Sequence, residues 1–127
     1  MAQLFSLGLM DAYRFTDVLE PAGKEPIRVL ARISVIATEQ GGRKGPFTKS
    51  YRPNHNFAGP EDRVFYIGQV EVPEGTWIHP GECRDLPITF LNVRGLADLL
   101  QVGRKWRIQE GGKLVATAEV LSLSHET

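Results

Sequence analysis

From Gly41 to Gly112 glycine or proline interrupts the chain at intervals shorter than an ordinary helix. The interruptions include Ala58-Gly59-Pro60, Pro73-Glu74-Gly75, Pro80-Gly81 and Glu110-Gly111-Gly112. Proline removes a backbone donor and glycine supplies positive φ, so these are turns. The segments between and before them read as strands. Ile27–Ile36 is rich in β-branched residues, with Val29, Ile33 and Val35 on one alternation. Arg63–Val72 alternates through Val64, Tyr66, Val70 and Val72, and Leu86–Leu91 makes a strand whose Pro87 suits a sheet edge. Arg104–Gln109 and Leu114–Leu123 form a hairpin across Glu110–Lys113, with Trp106 and Ile108 sharing a face. Asn54–Phe57 is a short strand-like segment, and Gly95–Gln101 has room for a helical turn or two. This pattern specifies an all-β domain, a barrel or a sandwich.

Length fits that conclusion, because 127 residues make one domain with one real core. Fifteen basic and fifteen acidic residues cancel, so affinity for nucleic acid would have to come from a local patch. A single cysteine, Cys83, excludes an intramolecular disulfide and a multi-cysteine zinc site, and fits a reducing, cytoplasmic setting. The apolar start, Met1–Met10, carries no basic leader and is ended by Asp11 and Arg14, so no membrane span is expected. Residues 1–26 form an N-terminal extension, read as a short helix or an irregular cover, ahead of a barrel over residues 27–127.

Catalytic chemistry finds no constellation. His79 and Cys83 flank Pro80-Gly81 in a turn, and a nucleophilic cysteine needs a positioned base with a third group to orient it. His55 and His125 lack acid-rich or cysteine-rich surroundings, so neither a metal site nor a cofactor is expected. No Gly-x-x-x-x-Gly-Lys-Ser/Thr phosphate cradle is present.

The stretch Gly41–Asn54 is the most distinctive. It holds Gly41-Gly42-Arg43, Pro46-Phe47 and Tyr51-Arg52-Pro53, a mixture that suits an ordered loop rather than a helix or a central strand. With Pro73-Glu74-Gly75, Pro80-Gly81-Glu82 and Glu110-Gly111-Gly112-Lys113, these motifs follow the order of the third domain of elongation factor Tu. Over about residues 28–121 the chain resembles that domain, free-standing and without the GTPase domain. The resemblance implies a six-stranded antiparallel Greek-key barrel. In the family this domain touches the T-stem of aminoacyl-tRNA and docks on protein partners. Carried over, the contact candidates are Arg43, Asn54 (glutamine in the family), Glu110 and Gly111. Lys113 adds a cation beside them, and Lys105 and Arg107 share a second face. Arginine can fork onto a phosphate and asparagine can bond a ribose hydroxyl, whereas an ionised glutamate only accepts.

A non-catalytic binding module is therefore expected. A protein-interaction role would use Trp77, Phe47 or the N-terminal segment as its apolar patch. The alternative is an RNA-binding role that retains tRNA-type contacts.

Overall fold

A computed structural model of the chain describes residues 25–124. Six strands, β1 (Ile27–Val35), β2 (Asn54–Asn56), β3 (Tyr66–Val70), β4 (Cys83–Phe90), β5 (Lys105–Glu110) and β6 (Lys113–Ser124), close into a barrel. Their order around it is β1-β4-β3-β2-β5-β6, every neighbouring pair antiparallel. The consecutive run β2-β3-β4, with β1 returning beside β4, is the Greek-key order. A short helix, α1 (Leu96–Leu99), and a 3-10 turn at Thr38–Gln40 complete the regular structure of the described residues. The extension expected over residues 1–26 lies, up to residue 24, outside the described residues.

The strands form where alternation places apolar side chains on one face. Val29, Ala31, Ile33 and Val35 of β1 all point inward, as do Leu86, Ile88 and Phe90 of β4. On β6, Ala118 lies opposite both Ile33 and Trp106. A small residue there leaves the interior volume to the indole, in keeping with close packing. A register shift after Ile108 leaves Val115 as the extra residue, and its side chain is buried too.

The structure corrects two strand expectations. Arg63–Phe65 do not join β3. Asp62 Oδ1 accepts from the Val64 amide at 2.8 Å and the Asp62 amide donates to Gly59 O, so a turn occupies the segment and Val64 stays 45% exposed. Pro87, expected at an edge, lies instead between β1 and β3, since a closed barrel has no edge strand. It is tolerated because its carbonyl accepts from the Glu71 amide at 2.8 Å. Its missing N–H therefore faces the same side, where β3 has just ended at Val70.

Chain direction assigns the connections to two ends. The hairpin end carries the connection 36–53, the connection 71–82 and the β5–β6 turn. The terminal end carries residues 57–65 and 91–104, the start of β1 and the end of β6. No helix among the described residues is long and apolar enough to cross a membrane.

Candidate functional site

All five sequence-derived contact candidates fall at the hairpin end or on the strand leading from it. After β1 the chain turns back at Gly41, whose φ of 95° is left-handed, and at Gly42. A Cβ on Gly42 would stand 2.1 Å from the Ile36 carbonyl oxygen, so only glycine lets the chain recross β1 this closely. Thr38 Oγ1 donates to Arg43 O at 2.6 Å and fixes the return.

Arg43 is thereby aimed inward along the loop. Its Nε donates to Gly45 O at 3.1 Å, its Nη2 to Pro46 O at 3.0 Å, and its Nη1 to Glu110 Oε2. The guanidinium carbon lies 5.1 Å from the Tyr51 ring centroid and 5.8 Å from that of Phe47. Those two rings stack at 4.0 Å. Tyr51 Oη donates at 2.5 Å to the same Glu110 oxygen. Burial, reinforced by that bond to Glu110, raises the Tyr51 pKa and keeps the phenol protonated. Arg43 and Glu110, 67 residues apart, thus form one clamp. Their side chains are 22% and 38% exposed. A phosphate approaching Arg43 would have to compete with Glu110 for the guanidinium.

The other candidates are placed differently. Gly111 has φ of 62° at the first central position of the β5–β6 turn, the only positive φ of that turn, which matches a type II′ hairpin. Lys113 is exposed at the start of β6, opposite Glu110. Asn54 is half-buried on β2, between Ile67 and Gln109. Lys105 is exposed. Arg107 Nε is held by Gln109 Oε1 at 2.9 Å, and that oxygen also accepts from Asn56 Nδ2 at 2.9 Å. Asn56 and Gln109 are fully buried, and each amide also bonds to backbone.

Of the apolar-patch candidates the N-terminal segment lies, up to residue 24, outside the described residues, and the other two separate. Phe47 is buried, 5% exposed, and its backbone bridges Ile78 through bonds of 3.0 and 2.8 Å. It cannot serve as an exposed anchor. Trp77, next to Ile78 on this ribbon, is 52% exposed, and His79 on the other side of Ile78 is exposed too. The ribbon is braced by Thr48 Oγ1 donating to Thr76 O at 2.6 Å and by the Lys49–Glu74 ion pair at 2.8 Å.

Cys83 is exposed, and its Sγ lies 3.6 Å from Ser34 Oγ. Among the described residues no cluster of three or more His, Cys, Asp or Glu is placed to hold a metal ion.

Sequence reasoning missed the role of Tyr51, although it stood in the Tyr-Arg-Pro motif, and the role of His55 inside the barrel. Compared with models of known protein families, the sequence matches none.

Proposed function

We propose that the chain is a non-catalytic protein-interaction module, a free-standing barrel of the kind found as the third domain of elongation factor Tu, working in the cytoplasm. The closed six-stranded antiparallel barrel supports the fold side of this reading. Trp77 carries the functional side. It is the only aromatic among the large hydrophobic side chains that stay exposed within the described residues. Tryptophan held rigidly at a surface is the side chain most enriched at interface hot spots, because it brings large area at small entropic cost. The braced ribbon beneath it supplies that rigidity.

The test is affinity capture from native cytosol with wild type and Trp77→Ser, each washed at low and high salt. A protein partner retained at high salt by wild type and lost by Trp77→Ser supports the module. Equal capture by both proteins removes Trp77 from the interface and the reading with it.

A second reading, RNA binding, rests on Lys44, Lys105 and Lys113, which are exposed and make no ion pair among the described residues. It predicts retention of tRNA that falls steeply with salt and with Lys113→Ala. Absence of any tRNA shift at low ionic strength ends it.

A further inference from the structure

β2 is the barrel's shortest strand, paired with β3 at two positions and with β5 at three. So few ladder bonds make it the weakest seam of the wall. The His55 imidazole spans that seam from inside. Its Nε2 lies 3.1 Å from Gly68 O on β3, and Trp106 Nε1 lies 3.0 Å from its Nδ1 on β5. An indole N–H can only donate, so Nδ1 must be a bare acceptor and the ring proton sits on Nε2, donating to Gly68. One neutral tautomer therefore ties β2 to both neighbours. Gly68 is obligatory beside it, because a Cβ there would stand 2.9 Å from Nε2 and 2.8 Å from Phe90 Cδ1.

We propose that His55 is a proton-operated latch: a proton added at Nδ1 sets two donors against each other and releases β2 from β5 and β3, while β1, β4 and β6 stay paired.

The surroundings offer the charged ring no relief. Against it lie Gly68 from β3, the Phe90 edge from β4 at 4.8 Å, and Trp106 from β5. Phe57, two residues on from His55, stacks on Trp106 at 4.9 Å and meets Tyr66 of β3 edge-on. The charge that meets this cluster is another cation, Arg104, over the Phe57 ring at 5.9 Å with its Nη2 donating to Phe57 O. The ring is fully buried, and that burial pushes its pKa down to about 4, with the Gly68 carbonyl working in the opposite direction. In the opened seam the ring returns to its ordinary value near 6.5. Opening therefore gains about tenfold per pH unit as pH falls from there toward 4. The surface it uncovers is aromatic: Trp106, Phe57 and Phe90.

Native-state hydrogen exchange on the full chain, read residue by residue in low urea from pH 6.5 to 4.5, tests the latch. Amides of β2 and of its partners on β3 and β5 should exchange through an opening that depends weakly on urea and gains about tenfold per pH unit. Amides between β1 and β6 should exchange only through the strongly urea-dependent global route. The proposal falls if β2 shares the urea dependence of β1 and β6, or if its local opening does not change with pH. His79→Asn, which removes an exposed imidazole, should leave the pattern intact; loss of the pH dependence in that variant would assign it to His79 and overturn the latch. His55→Phe should abolish the pH dependence, and the wild-type profile decides the matter even where that variant does not fold.

Discussion

At the terminal end the barrel is stoppered by Val93, Leu96 and Leu100, whose side chains enter the same core as Phe90 and Trp106. At the hairpin end a loop is tied down through Arg43, Tyr51 and Glu110, groups that still touch water. The first closure rests on apolar area removed from water and ignores salt. The second rests on charge-assisted hydrogen bonds, whose worth at partial exposure is modest and screened. The barrel is thus held unevenly along its axis, and only the closure at the Trp77 end responds to salt.

That contrast can be broken by measurement. Leu96→Ala should cost the most, about 2–5 kcal/mol by urea unfolding, because it opens a cavity under the stopper, and high salt should not shrink the loss. Next comes acidity. His55 resists protonation when folded, with its pKa near 4 against 6.5 when unfolded, so stability is full above pH 6.5 and declines as pH drops. The total is on the order of 3 kcal/mol by pH 4, seen as a falling urea midpoint. Glu110→Gln should cost about 1 kcal/mol at low salt and less at high salt, since the neutral amide loses the charge assistance. A loss as large as that of Leu96→Ala, or one indifferent to salt, would erase the distinction between the ends. Smallest of all, Lys49→Ala removes a pair 58% and 81% exposed and should stay within about 0.5 kcal/mol.

β1 was readable because its own residues alternate, burying every second one against the core; local apolar runs likewise showed β4 from Leu86, though it starts at Cys83, and the two strands of the β5–β6 hairpin. The glycine-rich turn after Glu110 was readable for the same local reason. Arg63–Phe65 misled because the side-chain pattern continues past the point where the Asp62 turn captures the backbone. The clamp was only half legible. Arg43 and Glu110 each stood out in the sequence as groups facing a partner, yet nothing local says that two residues so distant in the chain will occupy each other. Phe47 likewise looked available until the Ile78 bridge placed it beneath the ribbon. His55 gave no signal, because its function inside the wall depends on an indole supplied by another strand.

The register of β1 with β6 sets Arg28 opposite Ser124. The backbone therefore enters and leaves the barrel side by side, at the end away from Trp77. The Trp77 ribbon lies at the opposite end of the barrel from these two points. Joining the two points by a short linker and cutting the chain elsewhere should leave the same barrel, a rewiring that proteins with neighbouring termini accept.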